Sequence, residues 1–323
     1  MGRLTGHLST PQPVSVQANK NAYPLWREQE VSPDDGYDAM AKVTIPADLA
    51  SKASQADSGS TPVELDFSDT GISHLGGWGQ YFRSKQEDAN VSVGNNAWGN
   101  PRKCKIKLPK ACTEISARAF CGMSGLVEID ASEVAGTLTL KSRAIFATPL
   151  LATAGTAFWN KLKSVTTNSI RPGNGNVASI FESGHDIVAP NLDTVDLYDG
   201  YDSYPFSRCG WTSFTAPKLP KISEGMFYTC TNMTTADFTA VASIEAASFS
   251  FCASLTDLYL RGSSVVTLAN TNAFMQTPAM TAPATFTLHV PADLVDSYKV
   301  ATNWTSLYNG GSGINIVAIQ EGE

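Results

Sequence analysis

Residues 221–236 read KISEGMFYTCTNMTTA, and residues 243–258 read SIEAASFSFCASLTDL. Both carry apolar residues at one set of steps. Ile222, Phe227, Cys230, Met233 and Ala236 form the first row and Ile244, Phe249, Cys252, Leu255 and Leu258 the second, with separations of 5, 3, 3 and 3. Ile115, Phe120, Met123, Leu126 and Ile129 repeat the row upstream. Looser copies start at Leu268 with Phe274, and at Phe206 with Cys209, Trp211 and Phe214. From Phe206 through Phe227 and Phe249 to Phe274 the spacings are 21, 22 and 25 residues. Self-similarity at a period of that length marks a repeat architecture. A coil that short cannot enclose its own apolar face, whereas stacked coils bury a continuous column with each Phe above the next. Burying one ring contributes about 1.5–3 kcal/mol, and truncating it to Ala costs about 3–5 kcal/mol.

These rows carry a family resemblance. Residues 107–120 (KLPKACTEISARAF) and 243–258 resemble the "LP…I…AF..C..L..I" consensus of BspA-type leucine-rich repeats. Residues 288–299 (LHVPADLVDSYK), with Asn303-Trp304 and Ile316–Ile319, resemble the cap that ends such arrays. The resemblance runs over roughly residues 100–323, with inserts at Gly155–Asn160 and Arg171–Asn176 that break the period. It implies a mainly β fold: a leucine-rich-repeat solenoid of short stacked strands with little helix over residues 62–287, closed by a C-terminal cap over 288–323. The cap also follows from its own residues. Pro291 can open a helix because its missing N–H would be unpaired there anyway. Leu294, Val295 and Tyr298 then share a face. Trp304 and a last strand near 314–319 would cover the end of the apolar column, as a solenoid requires to stay soluble.

Upstream the pattern changes. Residues 1–50 hold short β-prone runs, such as Pro13–Val16 and Lys42–Ile45, between turn formers, and read as a small β-rich attachment segment. Residues 51–61 are polar, small and aperiodic, as a linker is. Residues 30–45 (EVSPDDGYDAMAKVTI) resemble a short module of tail-associated proteins from phages and prophages of gut bacteria. That resemblance implies a virion component that meets other tail proteins through this segment. No apolar stretch of signal-peptide length follows Met1, which fits release within a particle better than Sec export.

Composition narrows the function classes. Among 323 residues, 23 Lys+Arg face 30 Asp+Glu, and no basic run gathers the cations that phosphate binding needs, so nucleic acid is not an expected partner. Charged residues make up 16%, against about 25% in ordinary globular chains, so Ser, Thr, Asn and Gly must supply surface polarity. That balance suits an extracellular or particle-borne protein. No stretch approaches the roughly 20 apolar residues of a membrane span.

The chemical motifs are sparse. His7, His74, His185 and His289 are scattered, and no HExxH, CxxC or phosphate-cradling Gly loop is present, so neither an enzyme nor a cofactor is expected. Cys209, Cys230 and Cys252 share one repeat phase and should stack, either as buried thiols or as a disulfide or metal ladder. Asp193, Asp196, Asp199 and Asp202 offer oxygens for Ca²⁺, though not at EF-hand spacing. Interleaved with them, Tyr198, Tyr201 and Tyr204 are candidates for a binding surface, because Tyr supplies rigid amphipathic area at low entropic cost. Trp78 and Trp98, set among Gly and Asn, read either as a carbohydrate platform or as a plug of the solenoid's open end.

The expectation is therefore a non-enzymatic structural or adhesion protein of a virion. It would be tail-associated, bind a host-cell surface protein or glycan, and be able to self-associate within the particle. A bacterial cell-surface adhesin of the same repeat family is the alternative, and a scaffold or decoration protein that binds only its particle neighbours is a third reading.

Overall fold

The computed structural model describes residues 63–69, 73–75, 104–115, 126–141, 155–167, 185–197, 204–320 and 322. Residues 1–50 and 51–61, the expected attachment segment and linker, lie outside them. The chain divides into two units, Met1–Lys161 and Leu162–Glu323, and the boundary falls inside the stretch that the sequence reads as one array.

In Met1–Lys161 each coil gives one strand to each of two parallel sheets. The strands are β1 (Val63–Asp66), β2 (His74–Leu75), β3 (Cys104–Lys107), β4 (Glu114–Ile115), β5 (Leu126–Asp130) and β6 (Leu138–Leu140). β1 pairs with β3 and β3 with β5, while β2, β4 and β6 form the second ladder. The corner between the sheets repeats as well. Asp66 accepts the Ser68 N–H at 2.8 Å and Asp130 the Ser132 N–H at 2.7 Å, so one short side chain turns the chain in two different coils. Ile106, Leu108, Ile115, Leu126 and Ile129 are fully buried between the sheets. Phe120 and Met123 of the same row lie outside the described residues. The period-breaking insert at Gly155–Asn160 lies in a short helix, Gly155–Lys161, that buries Phe158 and Trp159.

In Leu162–Glu323 the strands are β7 (Leu162–Thr167), β8 (Asp186–Val188), β9 (Thr194–Leu197), β10 (Ser213–Thr215), β11 (Lys221–Ile222) and β12 (Thr235–Phe238). They continue with β13 (Ser243–Ile244), β14 (Asp257–Leu260), β15 (Thr267–Leu268), β16 (Thr287–Val290) and β17 (Asn315–Ala318). β7 pairs with β9. A six-stranded parallel sheet runs β8-β10-β12-β14-β16-β17, and a three-stranded one runs β11-β13-β15. The two best sequence rows lie wholly in the core: all ten residues from Ile222 to Ala236 and from Ile244 to Leu258 named above are inaccessible to solvent. Their rings form the expected column. Phe227 and Phe249 stack at 5.3 Å and 12°, Phe249 and Phe274 at 5.6 Å and 12°, and Phe206 meets Phe227 at 6.0 Å.

The cap ends that column. Trp304 lies 5.9 Å from Phe274 and 5.5 Å from Tyr298. Both cap rings also satisfy the chain just before β15: the Val266 N–H donates to the Tyr298 hydroxyl at 3.0 Å, and the Trp304 indole N–H donates to the Val266 carbonyl at 2.8 Å. The Asn303 amide donates to the carbonyls of Leu268 and Ala269. The cap has more helix than the sequence suggested. A 3₁₀ turn at Ala292–Leu294 follows Pro291 and leads into a helix at Val295–Val300, and a second helix spans Trp304–Tyr308.

Candidate functional surfaces

Alternation along the strands sends Phe214, Ala236, Leu258 and Leu288 inward, so their neighbours line the outer face of the six-stranded sheet. Register there aligns Thr215, Asp237, Tyr259, His289 and Val317 in one row. The middle of the row is locked. Arg261 grips Asp237 through two donors, Nε to Oδ1 and Nη2 to Oδ2, each at 2.9 Å, and its guanidinium sits 4.9 Å from the centre of the Tyr259 ring. From the β16 side the His289 imidazole stacks on the same ring at 4.1 Å and 8°, and its Nε2–H donates to Asp257 Oδ1 at 2.9 Å. The Thr256 hydroxyl completes Asp257 at 2.8 Å. Guanidinium, phenol and imidazole thus form one pre-set stack with a carboxylate at each end. On β8, hydroxyls of Thr212 and Ser213 both donate to Asp186 and hold its carboxyl below the usual range.

In Met1–Lys161 the corresponding decoration is ionic. Lys105 pairs with Glu128, and Lys107 and Lys110 share Glu133 while reaching Asp66 and Asp69. Those two lysines hold Glu133 below its ordinary range. Opposite signs alternate across neighbouring strands, so the face neutralises itself.

Of the residues singled out from sequence, Tyr204 is described, and Tyr198, Tyr201, Trp78 and Trp98 lie outside the described residues. Tyr204 is half-buried, meets Tyr228 edge to face at 5.0 Å, and lies over Gly225. Tyr228 in turn meets Phe251 at 5.3 Å. Sequence reasoning missed Tyr228 and Phe251. They sit one and two residues beyond the column phenylalanines, so they keep no common phase and give no periodic signal.

Cys209, Cys230 and Cys252 are buried free thiols, as is Cys112. The Cys230 thiol donates to the Phe206 carbonyl at 3.1 Å, and Cys252 repeats the bond one coil on, to Phe227 at 3.0 Å. Burial pushes both thiols well above their ordinary value, and it pushes Cys112 up to about 12. The thiolate that nucleophilic or metal chemistry requires is therefore disfavoured. Among the described residues no group of three His, Cys, Asp or Glu is placed to hold a metal ion. Asp193 is engaged by the Thr194 hydroxyl at 2.8 Å, while Asp199 and Asp202 lie outside the described residues. No described helix is long and apolar enough to cross a membrane.

A family model described as the BspA type leucine-rich repeat region matches in six copies, over residues 90–168 and 192–287, which is more than half of the chain. The chain belongs to the BspA-type leucine-rich repeat family. Comparison with curated proteins gives no match. As a member of this family the chain uses its repeat consensus for the core, with Ile, Phe, Cys and Leu buried. The outer sheet row and the Tyr204–Tyr228–Phe251 contacts belong to residues outside that consensus.

Proposed function

We propose that this protein is a non-enzymatic binding scaffold of the adhesin type, acting on the outside of a cell or of a phage-like particle, with the outer face of the six-stranded sheet as its recognition surface. One observation carries the reading: the Arg261–Tyr259–His289 stack, held between Asp237 and Asp257, lies in a fixed arrangement on the outer side of the sheet, with Arg261 and Tyr259 partly exposed over a buried His289. Nothing in the buried core needs an arginine, a tyrosine and a histidine stacked on the outer face. Such pre-organisation lowers the entropy lost on binding, and Tyr and Arg are the residues that most often dominate interfaces. The fold by itself supports no particular ligand; the side chains of the outer sheet face do.

The test is adhesion of the purified chain to a panel of bacterial and animal cells. Tyr259→Ala is expected to weaken adhesion at least about tenfold with the thermal transition nearly unchanged. Undiminished adhesion by that variant would remove the sheet face from the proposal, and release of reducing sugar from surface polysaccharide would make the protein an enzyme. The particle version rests on the resemblance of residues 30–45. Immunogold labelling of a released particle is its expected outcome, and labelling confined to the bacterial envelope would favour the cell-surface version.

A further inference from the structure

A second surface is built from the turns rather than the strands. Two residues beyond each column phenylalanine the backbone is left-handed in four successive coils, at Arg208, Thr229, Phe251 and Gln276, with φ of 61, 63, 64 and 59°. None of the four is glycine, the residue that adopts this conformation without steric penalty, and a bulky ring there is uncommon. On this turn face the rings of Tyr204, Tyr228 and Phe251 meet in sequence, one per coil, with centroids 5.0 and 5.3 Å apart. All three are half-buried, and Met275, whose carbonyl accepts the Phe251 N–H, extends the ridge as an exposed residue.

The same surface is poor in charge beyond Glu224 and Glu245, which open two of its turns. Residues 226–236, 246–256 and 270–288 contain no Asp, Glu, Lys or Arg, and residues 206–217 contain only Arg208. The polar groups are hydroxyls and amides, among them Thr229, Asn232, Ser254 and Gln276.

We propose that this ridge binds an uncharged saccharide chain lying along the stacking direction of the coils. The apolar C–H face of a pyranose packs on an aromatic ring, and hydroxyl and amide side chains bond its hydroxyls. A ring in each of three successive coils lets successive sugars meet successive rings. An acidic or sulfated saccharide gains nothing from a surface whose one cation is Arg208 and whose turns open with Glu224 and Glu245. The site is distinct from the sheet face, so it stands or falls separately from the adhesin reading.

The experiment uses the full chain against an array of neutral oligosaccharides (gluco-, manno- and galacto-configured), with sialylated and sulfated chains as controls. At least one neutral chain should bind, with little loss of affinity in raised salt. Tyr228→Ala and Phe251→Ala should each weaken that binding at least about tenfold, while Tyr259→Ala on the sheet face leaves it unchanged. Saturation-transfer NMR on the unmodified protein, with transfer to sugar C–H protons, gives the readout should either variant misfold. Failure of every neutral chain, binding of charged chains only, or loss of binding in Tyr259→Ala in place of Tyr228→Ala would overturn the proposal.

Discussion

Gly225 shows how one position fixes another. Its φ is +59°, and a Cβ placed there would lie 2.1 Å from Cδ1 of Tyr204. Gly225→Ala therefore meets both a disfavoured backbone and a ring that must move, and should destabilise the protein by about 1–3 kcal/mol in urea unfolding. In the Tyr204→Ala background the same change should cost less, because only the backbone part remains; equal costs in both backgrounds would mean that the ring does not cover Gly225. Tyr298 gives the pH dependence. Burial pushes its phenol up to about 12, against roughly 10 in the unfolded chain. Between those values the unfolded state binds fewer protons than the native one, so stability falls as pH rises from about 10 to 12. The buried thiols of Cys230 and Cys252 add the same sign from lower pH. Tyr298→Phe should flatten the upper part of that curve, and an unaltered alkaline slope would exclude the phenol as its source. The row phenylalanines and cysteines are legible in sequence because burial forces them into one phase. The half-buried rings are free of that constraint, and for that reason Tyr228 and Phe251 are invisible to period-finding.

Among the elements, the cap shows most clearly what a stacked array needs at its end. The last coil leaves Phe274 and the backbone of Val266 without a following coil, and Trp304 and Tyr298 supply both the ring contact and the two hydrogen bonds. These contributions separate by mutation. Trp304→Phe keeps most of the packing and removes the donor to the Val266 carbonyl, at a cost of about 1–3 kcal/mol, whereas Trp304→Ala also opens a cavity and should cost about 3–5 kcal/mol. Equal thermal shifts for the two variants would mean that packing alone holds the cap. Sequence located this element, because a Pro followed by apolar residues at helical spacing is a local signal. It did not show the helix at Trp304–Tyr308 or the one at Gly155–Lys161. Segments of five to seven residues have too few turns for a helical period to stand out, and tertiary packing of Trp304, Phe158 and Trp159 decides their conformation.

Across the molecule, the repeat period and the membership of a repeat family could be read from spacing, while the proposed recognition surfaces could not, since neither the sheet row nor the turn ridge keeps one residue type in one phase. The difference has an energetic consequence in Leu162–Glu323. Where each coil touches only its neighbours, stability is close to a sum of coil and interface terms. Phe249 lies between Phe227 and Phe274, stacked on both at 12°, so Phe249→Ala removes packing from two interfaces at once. The expected loss is about 3–5 kcal/mol. It should appear in native-state hydrogen exchange as faster exchange of the bonds that tie those coils together, Phe227 N–H to Ser248 O and Phe251 N–H to Met275 O. Tyr259→Ala, on the outer sheet face of the same coil, removes no column contact and should leave those two amides nearly unchanged. Faster exchange there in Tyr259→Ala, or a loss under about 1 kcal/mol in Phe249→Ala, would contradict a column that carries stability independently of the outer sheet face.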